Sequence, residues 1–168
     1  MIGDGFANLT RLKIAPILIE IDFQYQKEGP VTTDIWLTQL QDSGYRLTEA
    51  RRAVVKIVAA SMRALTPVEV FDQARKSYRA LGLVSVYRTL EKLEELNLIQ
   101  RVHQPQGCQA FITAGQGHQH LLLCQNCGQA AFFEGDDLEP LIDAISKKTG
   151  YAVNEHWLQL FGLCKNCR

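Results

Sequence analysis

No apolar run in the 168-residue chain approaches the roughly 20 residues that span a bilayer. The best amino-terminal candidate, Ile14 to Ile21, is short, contains Glu20 and lacks a small-residue cleavage pattern, which argues against a signal peptide. A cytoplasmic location with no membrane partner follows, and thiols there stay reduced. Neither sign of charge is in excess: 18 basic and 18 acidic residues cancel, so the chain as a whole has no electrostatic preference for a partner. There is no internal repeat and no low-complexity tract, which excludes a solenoid or a fibre. Hydrophobic residues at 46% and charged residues at 21% exclude disorder as the main state. Cysteine is sparse, and its five residues must be explained without disulfides.

The zero net charge hides a gradient. Residues 34–105 carry 11 basic against 8 acidic residues, residues 106–168 carry 4 against 6, and residues 1–33 carry 3 against 4. A mildly basic middle beside an acidic end suggests two modules with different partners. Residues 1–33 show no sustained period and end in Glu28-Gly29-Pro30, a breaker. They read as a poorly ordered leader or the product of a start codon placed too early; the alternative is an arm that packs on the body or on a ligand.

From Thr33 the pattern turns helical. Ile35, Trp36, Leu37 and Leu40 give a short helix stopped by Gly44. Thr48 caps a second helix with Ala50, Val54, Ile57 and Val58 on its inner face. Thr66-Pro67-Val68-Glu69 opens a third with a Thr cap, Pro at the first position and Glu three residues after the cap; Gly82 ends it. Ser85 is expected to cap a fourth helix reaching about Leu96. Strands follow at Ile99–His103 and Gln109–Thr113, around the turn Gln104-Pro105-Gln106-Gly107.

Short helices followed by a hairpin are the order of a winged helix-turn-helix, whose second helix lays its first residues in the major groove. The fourth helix would present Ser85, Tyr87 and Arg88 to DNA, with Arg51 and Arg52 anchoring phosphates from the supporting helix. A helical domain whose Tyr and Arg are simply solvated is the plainer alternative.

After residue 113 the composition changes. Strands are expected at Leu121–Leu123 and Ala130–Phe133, a helix from Asp136-Asp137-Leu138-Glu139 to Thr149 with Gly150 as its stop, and a strand from Tyr151 to Phe161. The fold class is therefore α+β: a leader (1–33), a winged-helix domain (34–113) and a small α/β module (114–168) of a size that usually gains stability by dimerising.

Two Cys-x-x-Cys pairs, Cys124/Cys127 and Cys164/Cys167, stand 36 residues apart. Two thiolates at i and i+3 in a tight turn face one ion, and two such turns complete a tetrahedron for Zn2+. All four positions are filled, so this site is structural and would tie the chain end back to Cys124. A redox dithiol is the alternative. Three imidazoles and a carboxylate, His118, His120, His156 and Glu139, could form a second site for zinc or ferrous ion. Each also has a plain reading: solvated loop histidines, a dipole-complementing Glu, a core histidine beside Trp157.

Thr48-x-x-Arg51, Gly82-Leu-Val-Ser-Val-Tyr-Arg-Thr-Leu90, His118-x-His120, Cys124-x-x-Cys127-Gly128 and Phe161-Gly162-x-Cys164-x-x-Cys167 resemble, in order, the ferric uptake regulator family. The resemblance runs from about residue 34 to the end. It implies a dimeric, metal-dependent transcriptional regulator that binds an operator in double-stranded DNA, with no enzymatic activity and no small-molecule substrate. It assigns the four cysteines to structural zinc, His118, His120, Glu139 and His156 to a regulatory metal, and Arg51, Tyr87 and Arg88 to DNA. The family's interdomain sensing site would draw on positions that here hold Ala64 or Leu65, Ile112, Gln119 and Leu121, so that site is expected to be missing. His103 and Cys108 lie at the hinge and are possible substitute ligands.

A nitrogen-rich second site favours zinc, and the zinc-uptake branch is the expected one. A repressor of zinc uptake is thus the functional expectation. An iron-responsive regulator is the alternative within the family, and a thiol-based redox sensor built on Cys108 and the paired cysteines is the alternative outside it. A zinc hydrolase is disfavoured, because a fourth ligand closes the position that catalysis needs open.

Overall fold

The computed structural model describes residues 33–103, 107, 109–115, 119–134 and 138–168. The expectations for the leader up to residue 32, the turn residues Gln104 to Gln106, Cys108, His118 and Asp136 and Asp137 fall outside the described residues.

Four helices open the described chain. Helix α1 (Thr33–Asp42) buries Trp36, Leu37 and Leu40, one face at helical spacing. Gly44 ends it at φ +82, where Gly44 N bonds Gln41 O and Tyr45 N bonds Leu40 O. Helix α2 (Glu49–Ala59) has the expected cap, with the Thr48 hydroxyl accepting from Arg51 N. Helix α3 (Pro67–Ala74) has the expected reciprocal box between Thr66 and Glu69. It is shorter than expected: it stops at Ala74, and Gly82 is the cap of the next helix. Helix α4 (Leu83–Glu95) therefore begins two residues before Ser85, which is not its cap; Gly82 supplies no side chain, and Ser85 O instead accepts from the Thr89 hydroxyl. Asn97 at φ +55 closes α4, with Leu98 N on Leu93 O and Asn97 N on Glu94 O.

Strands β1 (Ile99–His103) and β2 (Gln109–Thr113) form the antiparallel wing, in register from Ile99 opposite Thr113 to His103 opposite Gln109. Leu65, between α2 and α3, pairs with Phe111 through both backbone hydrogen bonds, 2.9 and 2.8 Å. One core holds this module together: Leu40, Val54, Val58, Leu65, Val70, Val86, Leu90, Leu93, Ile99 and Phe111 are all buried.

The second sheet has the order β4-β3-β5. Strand β3 (Gln119–Cys124) pairs antiparallel with β4 (Ala130–Glu134) and parallel with β5 (Gln159–Gly162), the return passing through helix α5 (Glu139–Thr149). Gly150 ends α5 at φ +77, as expected. The last strand is shorter than expected. Residues 151–158 are not strand; β5 pairs with β3 only from Gln159 opposite Leu121 to Gly162 opposite Cys124. His156 accordingly lies before β5 and not within a strand.

A second apolar cluster, Ala64, Val102, Ala110, Ile112, Leu121 and Leu123, packs the wing against β3. It straddles residue 113.

Candidate metal centres and nucleic-acid interface

Each Cys-x-x-Cys pair sits in a tight turn. Gly128 N bonds Cys124 O at 3.0 Å, and Cys167 N bonds Cys164 O at 2.9 Å. The parallel pairing of β3 with β5 brings the two turns together, and Gln125 N bonds Gly162 O at 2.9 Å. All four sulfurs lie within 4.8 Å of one another, with Cys124 buried and the others half-buried. Cys127 Sγ and Cys164 Sγ are 3.7 Å apart. A tetrahedron with Zn–S bonds of about 2.3 Å has an edge of about 3.8 Å, so this donor set fits zinc.

The thiols are not equivalent. Backbone N–H groups of Cys164 and then Cys127 aim at the Cys124 sulfur and push its pKa down to about 6. The Cys164 N to Cys124 Sγ distance is 3.3 Å. Cys167 is pushed up to about 12, chiefly by its hydrogen bond with the Cys164 sulfur.

Two members of the expected second site come together. His120, buried on β3, has its ring centroid 5.2 Å from that of His156 and 5.4 Å from Phe133, its cross-strand partner. Glu139 is exposed in the first turn of α5. Among the described residues, the four cysteines form the one group with three or more ligand atoms within 4.8 Å, so Glu139 does not join the two histidines there.

Of the positions where the resemblance implied an interdomain site, Gln119 is polar and half-buried on β3, and the others are apolar and buried. Ala64, Leu65, Ile112 and Leu121 are each at most 5% exposed. Backbone bonds close the same hinge: Ala64 N donates to Gly128 O at 2.9 Å, and Arg63 pairs with Gln129. Arg63 also donates to Cys127 O and pairs with Glu69 of the α3 cap. His103 is exposed at the end of β1, and its carbonyl accepts from Gln159 Nε2 of β5 at 3.1 Å.

On the outer face of α4, where DNA contacts were expected, Tyr87 and Arg88 are exposed in the first half of the helix and Ser85 is half-buried. Arg52 faces solvent, 3.8 Å from Glu49. Arg51 is turned back onto the protein: its guanidinium donates to Arg46 O and lies 5.7 Å over the Tyr45 ring. The wing is tied to α4 by Arg101, which donates to both Glu94 oxygens at 3.1 and 2.6 Å; the Glu94 carboxylate holds the guanidinium pKa up. The sequence candidates omitted Val84, Glu91 and Arg63. Helical spacing alone marks Val84 and Glu91, which share the outer face of α4 with Tyr87 and Arg88. Nothing local marks Arg63, whose partners lie across the hinge.

Comparison with known proteins accords with this architecture. Residues 42–161 match the sequence model of the ferric uptake regulator family. A ferric uptake regulation protein of Legionella pneumophila is 30% identical over 132 residues, covering 77% of this chain and 96% of that protein. The ferric uptake regulator of Helicobacter pylori superposes with a TM-score of 0.62 at 24% identity, over 82% of this chain and 95% of that one. A zinc uptake regulator solved with zinc and DNA superposes with a TM-score of 0.59 at 20% identity, over 80% of this chain and 94% of that one. The chain belongs to the ferric uptake regulator family, a family of metal-responsive transcriptional regulators.

Proposed function

We propose that this chain is a zinc-responsive repressor of zinc-uptake genes, acting in the cytoplasm as a homodimer on operator DNA. The observation that carries the reading is the pairing of buried His120 with His156, 5.2 Å between rings, with His120 four residues before Cys124 on β3. Imidazole donors suit zinc. The apolar hinge at Ala64, Ile112 and Leu121 supports assigning the metal response to this histidine pair.

His120 and His156, which already stand together, would hold the regulatory ion with His118 and with Glu139, which would have to be drawn in from its exposed place on α5, and the four cysteines would hold the structural one. A bound ion supplies a cross-link between β3, the first turn of α5 and the segment before β5. Those elements carry the apolar surface through which two copies would meet. Their order sets the spacing of two α4 helices, which must reach half-sites one helical turn apart. A metal response needs the DNA-competent arrangement to bind metal more tightly than the alternative.

Native mass spectrometry across buffered free zinc tests this, paired with DNA binding by His156→Ala. The expected result is a dimer with one tight zinc and one exchangeable zinc per chain, and a variant that folds, keeps the tight zinc and loses zinc-dependent DNA binding. Unchanged zinc dependence in the variant would overturn the assignment. The relative from Legionella pneumophila is named for ferric uptake, so ferrous ion is the second reading. It predicts that the same titration, run anaerobically, fills the second site with iron at lower free metal than zinc.

A further inference from the structure

Helix α4 directs one row of side chains outward: Val84, Tyr87, Arg88 and Glu91, at i, i+3, i+4 and i+7. Its opposite face, Val86, Thr89, Leu90 and Leu93, is buried. Val84 stands in the first turn and is 63% exposed, more than Tyr87 at 45%. It belongs to neither apolar core. Nor does it serve the helix, since valine is a poorer helix former than alanine. Apart from its chain neighbours, nothing lies within 4 Å of where a Cβ on Gly82 would be, so the approach to this turn is open.

The surroundings identify what would cover Val84. Residues 75–90 contain Arg75, Lys76, Arg79 and Arg88 and no acidic residue, in a chain of zero net charge, and all four are exposed. That excess suits a polyanion. On DNA, the one apolar group presented in the major groove is the C5 methyl of thymine. The first turn of the second helix of a helix-turn-helix is the part that reaches base edges.

We propose that Val84 reads a thymine methyl group in each operator half-site. Tyr87 and Arg88, one turn further on, supply the polar contacts, and Val84 supplies discrimination for thymine over cytosine at one position. The inference rests on the DNA-binding reading given above, and its test separates the two.

Duplexes are selected from random DNA on the zinc-loaded 168-residue chain. Each thymine of the selected duplex is then replaced by deoxyuridine, which lacks only the C5 methyl. Affinity is measured by fluorescence anisotropy for the wild type and for Val84→Ala, whose exposed site and better helix propensity protect the fold. The wild type is expected to lose about fourfold at one thymine per half-site, the worth of one buried methyl group. Val84→Ala, which alters both half-sites of the dimer at once, is expected to show that loss in each, about sixteenfold together, already on the thymine duplex and no further loss at that position. Equal affinity of the two proteins for the thymine duplex would overturn the proposal, as would a variant still sensitive to every replacement. Failure to select any duplex would instead overturn the DNA-binding reading, and this inference with it.

Discussion

Cys124 and Cys167 hold their protons very differently although both face one centre. With its pKa pushed down to about 6, Cys124 is a thiolate at neutral pH and competes with protons for zinc only in mild acid. Cys167, pushed up to about 12, keeps its proton through that range, so binding must displace it. The sign follows: zinc affinity rises with pH between about 6 and 8, and falls more steeply below 6 as Cys124 also takes a proton. Calorimetric zinc titrations in buffers of different ionisation enthalpy should show net proton release at pH 7.5; a slope of zero would contradict it. Gly128 offers a second test at this scale. It sits at φ +73, and a Cβ there would meet the backbone oxygen of Ala64 at 3.1 Å. Gly44, at φ +82, has open space around it. Gly44→Ala should cost about 1–2 kcal/mol from its left-handed backbone alone. Gly128→Ala should cost more, because the hinge must also give way. Urea unfolding of the zinc-loaded variants measures the difference, and equal costs would mean that the hinge contact carries no strain.

Among the elements, the short run Arg63 to Leu65 does more than connect α2 to α3. Leu65 pairs with Phe111 of the wing, while Ala64 and Arg63 pair with Gly128 and Gln129 beside the cysteine turn. The winged helix and the cysteine site therefore share one strand-like segment. Zinc removal should speed amide exchange at Ala64 and Leu65 as well as at residues 124–129. Exchange confined to the cysteine turns would show that the segment is held by the apolar cluster alone. This coupling was not legible in the sequence. Three residues are too few to show a period, and the burial of Ala64 against Leu121 is a tertiary fact. The capping box at Thr66 and both wing strands were legible, because hydroxyl–carboxylate spacing and alternation are local signals. The start of α4 was misplaced because Gly82 caps without a side chain, leaving Ser85 as the nearest residue with a hydroxyl. The cysteine site was legible from spacing. The histidine site was legible only in composition, and the structure joins His120 to His156 without Glu139.

At the scale of the whole molecule, residues 139–168 leave large apolar side chains uncovered. Helix α5 is amphipathic yet has no buried residue. Leu141, Ile145, Tyr151 and Leu163 are at least 46% exposed, and Trp157 is 88% exposed. Apolar surface on this scale marks an interface. A second copy is the proposed occupant, and a two-fold contact would use each side chain twice. Fully burying a Leu or Ile side chain contributes about 1.5–3 kcal/mol, so α5 alone offers several kcal/mol per dimer. Ile145→Asp removes that contribution and places a charge where desolvation opposes it. Because Ile145 is 46% exposed within its own chain, the fold should survive with an unchanged far-UV spectrum. Light scattering at micromolar concentration should then report a monomer. That monomer should keep the four-cysteine zinc, whose ligands all come from one chain, and should bind DNA far more weakly, since one α4 helix reaches one half-site. A dimeric mass for the variant would place the interface elsewhere. A monomer with undiminished DNA affinity would instead mean that one winged helix suffices for recognition.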